Sequence, residues 1–154
     1  LVYDVEEKVW HEWSTNSSGS HVAFKYDYQA DPLNGTSVLL HNTDGYLYIL
    51  SQAAYDDAGT SILSDMYTSK YDGSTMNRKF MHNLNVVGDL GATFTIRWSD
   101  DDYVSWNSYF TLGPTRPFVT RCGSFRRRAF NIRHTANEDF RVEAIEFEVD
   151  VGTH

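Results

Sequence analysis

Three consecutive aspartates are the residues of this chain with the greatest chemical potential. They lie at positions 100 to 102, within S-D-D-D-Y-V-S-W, residues 99 to 106. Carboxylates are ligands for Ca²⁺, which takes ~6–8 oxygens, and pairs of them hydrolyse glycosides. In an extended strand, however, neighbouring side chains point to opposite faces, so adjacent carboxylates do not converge on one ion. The spacing therefore predicts residues of a turn and no metal site.

The same eight residues resemble the Asp-box, the Ser-x-Asp-x-Gly-x-Ser/Thr-Trp hairpin of sialidases and other β-propellers. Four residues match its fixed positions, namely Ser99, Asp101, Ser105 and Trp106, whereas Tyr103 stands where glycine is usual. The resemblance implies that the aspartate accepts hydrogen bonds from backbone N–H groups of its own turn while the tryptophan packs below it. We therefore expect a structural turn here.

Arginines are concentrated in a second segment, residues 116–141, whose acidic residues are Glu138 and Asp139. Alternation along a strand would separate Arg127 from its two arginine neighbours, so the run does not predict a single-sided patch. Cross-strand or subunit-interface pairing with acidic residues is one interpretation, and contact with DNA phosphates is the other. The interface or DNA-facing candidates are Arg121, Arg126, Arg127, Arg128 and Arg133, and their predicted partners on the last strand are Glu143, Glu146 and Glu148.

Other catalytic or metal-binding signatures are missing from the sequence. The six histidines show no H-x-H or H-E-x-x-H spacing, no G-x-S-x-G is present, and Cys122 is the lone cysteine. A single cysteine also excludes an intrachain disulfide. The sequence therefore predicts no catalytic residues, no metal and no cofactor, and hence a protein that is not an enzyme.

Charge is distributed unevenly along the chain of 154 residues, whose net charge is −8. Residues 1–77 contain three lysines and eleven acidic residues, while residues 78–154 contain ten basic and ten acidic ones. The first half thus carries all the net charge, which weakens attraction to nucleic acid or to an anionic membrane. The opening residues show neither a signal peptide nor a membrane span, so we expect no membrane partner and a fragment or processed product.

Short stretches of alternating apolar and polar residues predict β-strands. In the first half we expect a strand over residues 21–28, a hairpin in which residues 36–41 and 46–50 flank N-T-D-G, and a loop over residues 52–60. In the second half, residues 94–98 alternate, and a single apolar face is predicted from Phe80, His82, Leu84 and Val86. The apolar phase of the last strand changes, which predicts a bulge and a bend near Ala144.

These elements predict an all-β fold. We expect β-propeller-type strands, forming partial blades, over residues 1–66 and an antiparallel β-sandwich-like domain over residues 67–154, with T-S-K-Y-D-G-S-T as the joint. No apolar stripe of helical period persists for three turns.

Longer patterns resemble the packaged-DNA stabilisation proteins of short-tailed bacteriophages. In the first half, Y-D-V-E-E-K-V-W-H-E-W and D-G-Y-L-Y-I-L look like propeller blade strands. Further on, T-F-T-I-R-W-S-D-D, W-N-S-Y-F-T-L-G and R-C-G-S-F-R-R-R-A-F-N-I-R-H are similar to the C-terminal part of those tail hub or head-closure proteins.

That resemblance implies a structural virion protein of a tail or head–tail connector. Its copies would form a homo-oligomeric ring that retains packaged DNA and contacts the portal or other tail proteins, after assembly in the host cytoplasm. One alternative is a carbohydrate-binding module whose stacking platforms would include Trp10, Trp13, Trp98 or Trp106. A weaker alternative is a fragment of a sialidase-like glycoside hydrolase.

Overall fold

All regular secondary structure in the described part of the chain is β-strand, and every strand pair is antiparallel. The computed structural model describes residues 2–153 except 7, 12–13, 18–19, 24–25, 32–35, 43 and 52. This confirms the all-β class, and no sheet in the described part closes on itself. Nor does that part include a helix long and apolar enough to cross a lipid bilayer.

The chain divides into two compact units, Leu1–Leu63 and Ser64–His154. The division lies three residues before the predicted boundary between residues 66 and 67. The reason is that the strand Ser64–Tyr67 hydrogen-bonds to Ala129–His134 of the second unit.

The first unit consists of small separate sheets. Its strands are β1 Val2–Asp4, β2 Val9–His11, β3 Ser14–Ser17, β4 Ser20–Ala23, β5 Tyr26–Asp31, β6 Thr36–His41, β7 Leu47–Ile49, β8 Asp56–Asp57 and β9 Thr60–Ser61. They form the pairs β1–β2, β3–β4 and β8–β9 and one three-stranded sheet, β5–β6–β7. A propeller blade usually has four strands, so the described sheets are smaller than blades.

Two of the local predictions for this unit have clear outcomes. The N-T-D-G hairpin is confirmed, because β6 and β7 pair antiparallel and Gly45 takes the left-handed φ of 73° that such a turn needs. The expected loop over residues 52–60 instead contains the short strand β8 and the start of β9. The strand predicted over 21–28 corresponds to β4 and β5, with residues 24–25 outside the described part.

The second unit contains two larger sheets. Its strands are β10 Ser64–Tyr67, β11 Lys79–Leu90, β12 Phe94–Ser99, β13 Phe110–Leu112, β14 Phe118–Thr120, β15 Ser124–Phe125, β16 Ala129–His134 and β17 Phe140–Val151. One sheet has the order β10–β16–β12–β13, and in the other β11 pairs with β14, β15 and β17. Inward residues of both sheets, including Leu84 on β11 and Ile96 on β12, belong to one buried hydrophobic cluster. The core of this unit is therefore shared by its two sheets.

Two bulges set which side chains reach that core. The predicted bend near Ala144 is confirmed, since the register shifts where Val87 pairs with Ala144 but Gly88 with Val142. A second shift, at His82, was not foreseen. It reverses the phase of β11, so Phe80 and His82 are exposed while Leu84 and Val86 are buried. The single face predicted for these four residues is therefore wrong in its first half.

Candidate functional site

The aspartate turn, residues 99–105, is closed by the side chain of Asp101. Its Oδ1 accepts hydrogen bonds from the Ser99 hydroxyl and the Ser105 backbone N–H, each 2.8 Å away, and its Oδ2 accepts one from the Ser105 hydroxyl. The Ser99 hydroxyl in turn accepts a bond from the backbone N–H of Tyr103 at 3.0 Å. The hydrogen bonds from Ser105, followed by that from Ser99, lower the pKa of Asp101 to about 2. Its carboxylate is thus ionised and held within its own turn.

The turn requires left-handed backbone at two non-glycine residues. Asp102 has φ 59° and Tyr103 has φ 71°, and the second of these is the position where an Asp-box has glycine. The side chain of Tyr103 makes contacts that glycine could not. Its hydroxyl donates to the carbonyl of Thr68 at 3.0 Å, and its ring lies 6.0 Å from that of Trp106. These contacts offset the cost of the left-handed conformation.

Asp100 faces the buried guanidinium of Arg128. Because Ser99 pairs with Ala129 across β12 and β16, the residues just beyond that pair lie side by side. The bond is bidentate: Nε donates to Oδ1 at 2.7 Å and Nη2 to Oδ2 at 2.8 Å. Nη1 donates to the carbonyl of Cys122 at 2.7 Å. With its side chain 1% exposed, Arg128 is a structural anchor, because a buried guanidinium must have its donors satisfied.

Aromatic rings enclose the same guanidinium. Its central carbon lies 4.3 Å from the ring centroid of Phe125 and 4.8 Å from that of Trp98. Cation–π attraction of this kind is strongest where water is excluded. Trp98, one of the proposed sugar platforms, is therefore buried against this guanidinium, and its ring also stacks on that of Phe110.

Asp102 completes the set of three aspartates. It accepts a hydrogen bond from Nη2 of Arg127 at 2.7 Å and lies 3.2 Å from Nζ of Lys70. The side chains of Arg127 and Asp102 are 43% and 40% exposed, so this ion pair contributes at most ~1 kcal/mol to stability. Each aspartate of the turn thus has its own partners, and the three carboxylates do not converge.

The remaining candidate arginines lie in different places. Arg121 is exposed and has a left-handed φ of 60°, and Arg126 is exposed with its Nη1 donating to the carbonyl of Met76 at 3.0 Å. Arg133 donates to Asp65 at 2.7 Å. The structure therefore brings Arg127 and Arg128 to the aspartate turn and leaves the other three elsewhere.

The five candidate arginines do not pair with the glutamates of the last strand that were predicted as their partners. Among the described residues, neither Glu143 nor Glu146 nor Glu148 contacts any of them. β17 pairs with β11, in the sheet that does not contain β16, so Glu146 and Glu148 lie across from asparagines of β11 rather than from the arginine run. Asn83, for example, donates to Glu148 at 3.0 Å. Glu143 is contacted by Arg141, at 2.8 Å, within its own strand.

Sequence reasoning missed Lys79, which is fully buried at the start of β11. Its ammonium donates to three backbone carbonyls, those of Thr75 at 2.6 Å, Arg126 at 2.9 Å and Asn77 at 3.1 Å. It therefore ties the segment before β11 to the segment before β16. Nothing in the local sequence signals this role, because the carbonyl of Arg126 is distant from Lys79 along the chain.

A polar network on the outer face of the β10–β16–β12–β13 sheet was also missed. Nε of Arg97 donates to Asn131 Oδ1 at 2.8 Å, the amide of Asn131 donates to Asp65, and Asp65 also accepts from Arg133. Burial raises the pKa of Asp65, but the hydrogen bonds from Arg133 and Asn131 outweigh it and hold the pKa below its usual value. Alternation along the strands could indicate that these residues point outward. It could not indicate which of them form hydrogen bonds with one another.

Aromatic residues extend that network. The guanidinium of Arg97 lies 4.8 Å from the ring centroid of Trp106 and 4.4 Å from that of Tyr109, and Arg133 lies 5.6 Å from the same tyrosine ring. Trp106 also meets the ring of Tyr67 edge-on at 5.6 Å. The half-buried Trp106, in the connection between β12 and β13, thus packs against residues of this sheet.

No group of three or more histidine, cysteine or carboxylate side chains suited to a metal ion occurs among the residues that the structure describes. No known protein family matches this sequence, and no curated protein is significantly similar to it.

Proposed function

We propose that this chain is a noncatalytic structural subunit of a phage tail or head–tail connector, in which copies associate into a ring. The observation that carries the proposal is that strands of the first unit expose apolar side chains to solvent. Where its side-chain burial is described, Leu39 and Leu63 are its buried hydrophobic residues, whereas Leu47 and Ile49 are 64% and 68% exposed. Isolated hairpins are marginally stable in water, so such sheets gain stability when a neighbour covers them.

A second copy of the chain is the occupant that we propose for this surface. Among the described strands, β7 is an edge of its three-stranded sheet, and its apolar residues Leu47 and Ile49 flank Tyr48. Charge favours the same partner, since residues 1–77 hold all the net negative charge. The exposed arginines Arg121 and Arg126 on the second unit of a neighbouring copy are suitable counterparts, in a head-to-tail contact of the kind that closes rings.

Retention of DNA would follow from ring closure rather than from many phosphate contacts. Three of the five candidate arginines are already engaged by carboxylates, Arg127 by Asp102, Arg128 by Asp100 and Arg133 by Asp65. We propose that the two sheets of the second unit act as a sandwich-like scaffold for the ring. The assignment to a virion is supported by the sequence resemblance alone.

Sedimentation velocity over a concentration series tests this proposal. We expect the wild-type chain to sediment as an oligomer at high concentration, and the double variant Leu47→Asp/Ile49→Asp to remain a monomer. The matched control is Met76→Asp/Val104→Asp, which places the same two charges at positions of the second unit that are 57% and 83% exposed. A wild-type chain that is monomeric throughout, or a double variant that assembles like the control, would refute the proposal.

The charge component has a separate test. Arg121→Glu/Arg126→Glu should weaken association, and added salt should weaken that of the wild type, because exposed pairs are screened. Association that is equally strong in the variant and at high salt would show that the contact is apolar only.

A further inference from the structure

The outer face of the β10–β16–β12–β13 sheet contains a groove of about 290 Å³. Its lining includes Thr93, Thr95, Tyr109, Thr111, Arg133 and Thr135. The volume is at the lower end of the ~300–1,000 Å³ found for ligand pockets, which suits one or two small rings. The groove lies entirely within the second unit and makes no use of the first unit's apolar surface.

Five of the seven residues that line this groove carry a hydroxyl group. The threonines at positions 93, 111 and 135 are exposed, and each hydroxyl both donates and accepts hydrogen bonds. Their methyl groups supply small apolar surfaces between the polar ones. A ligand that carries several hydroxyls on a carbon ring matches this alternation better than a flat apolar molecule does.

Arg133 adds a directional charge at the groove. Its side chain is 35% exposed, and Asp65 occupies only Nη2. Nη1 has no hydrogen-bond partner among the described residues, and that guanidinium is held in place by Asp65 and the ring of Tyr109. A preorganised guanidinium is well suited to a planar carboxylate.

The local charge fits a single negative charge on the ligand. Arg97 and Arg133 are cationic and Asp65 is anionic, so this cluster has a formal charge of +1 on a chain whose net charge is −8. Long polyanions would meet the repulsion of the whole chain, whereas a monoanionic sugar would be balanced at this one point.

The geometry points to a binding site for a single uronic or sialic acid residue of a glycan, with Arg133 holding the carboxylate and the threonines holding ring hydroxyls. This site differs from the tryptophan platforms considered from the sequence. Trp98 is buried, Trp106 is packed in the polar network, and Trp13 lies outside the described residues. It is also independent of the proposed self-association.

Titration of the full chain with D-glucuronate and with its methyl ester, followed by NMR or calorimetry, tests the inference. We expect the ester to bind about tenfold more weakly or worse, because it lacks the charged acceptor. Arg133→Gln should weaken glucuronate binding to the same degree, and its matched control, Arg116→Gln, should not. Thr135→Trp should block both sugars by filling the groove without removing a charge.

Thermal unfolding of each variant establishes that it is folded before binding is compared. Should Arg133→Gln prove unstable, Thr135→Trp still decides the question. Equal binding of acid and ester, full binding by a folded Arg133→Gln, or no binding of glucuronate would each overturn the inference. Displacement of glucuronate by equimolar inorganic phosphate would do so as well, since it would indicate a general anion site.

Discussion

The two units of the chain differ in which residues they bury. In the second unit, Lys79 and Arg128 are among the most buried side chains, and their donors meet carbonyls and a carboxylate. In the first unit, Leu47 and Ile49 are exposed. Buried charges that are paired within a unit, as these two are, need no neighbour, whereas exposed apolar strand residues gain stability when a neighbour covers them. The contrast separates the part that maintains the fold from the part that we propose to associate.

The largest expected effect tests whether buried charge sustains the second unit. Asp100→Ala should lower the free energy of unfolding by about 3–5 kcal/mol, because it leaves the buried guanidinium of Arg128 without its carboxylate. Urea denaturation measures this, and Arg127→Met, at the exposed pair, should cost no more than ~1 kcal/mol. Equal losses in the two variants would contradict the structural role given to Arg128.

The second prediction concerns the bulge that directs residues into the core. A Cβ at Gly88 would lie 1.9 Å from the carbonyl oxygen of Arg141, and the glycine has φ 153°. We expect Gly88→Ala to cost about 3 kcal/mol or more, because strand backbone must move as well as adopt a disfavoured φ. The control is Gly123→Ala, where φ is 74° but nothing lies within 4 Å of the added atom. That variant should lose only about 1–2 kcal/mol.

A smaller effect, dependent on pH, is expected at Asp101. The pKa of its carboxyl is lowered from 3.8 to about 2 in the folded chain, so its stabilisation is complete above pH 3.8 and is lost as the pH falls through about 2. Asp101→Asn should therefore be less stable than the wild type at neutral pH. The difference in the free energy of unfolding should shrink as the pH falls from 3.8 to about 2. Denaturation at a series of pH values checks this, with Asp139→Asn, in an exposed turn, as the reference. A difference that is constant with pH would show that the turn does not depend on the ionised carboxylate.

The smallest effect on stability is expected in the first unit, and it tests most directly how the two units differ. Leu47→Thr should change the stability of the dilute, monomeric chain by no more than ~0.5 kcal/mol, because the side chain is already in water. The β-branched threonine also keeps the strand preference of this position. A large loss measured by denaturation at low concentration would mean that Leu47 is part of an internal core.

Features that depend on nearby residues could be predicted from the sequence. Asp101 reaches only as far as Ser99 and Ser105, and the phase change around Ala144 is visible in the strand itself. The partner of Arg128 could not be predicted, because it depends on the pairing of β12 with β16. The unforeseen bulge at His82 has a similar cause, since the residue that replaces Phe80 in the core is its neighbour Met81. Long-range register, which alternation in one strand does not determine, accounts for these errors.

Strand β17 has a consequence for how the polypeptide reaches its native state during synthesis. It pairs along the length of β11, so that Lys79 is matched with Val151 and Leu90 with Phe140. Until the ribosome has released this strand, one side of β11 has its N–H and C=O groups unpaired. Such non-local pairing is slow, and an unpaired edge is a site where nascent chains aggregate. The closing step of folding in the second unit should therefore wait for β17, and chaperones that shield strand edges should raise the yield.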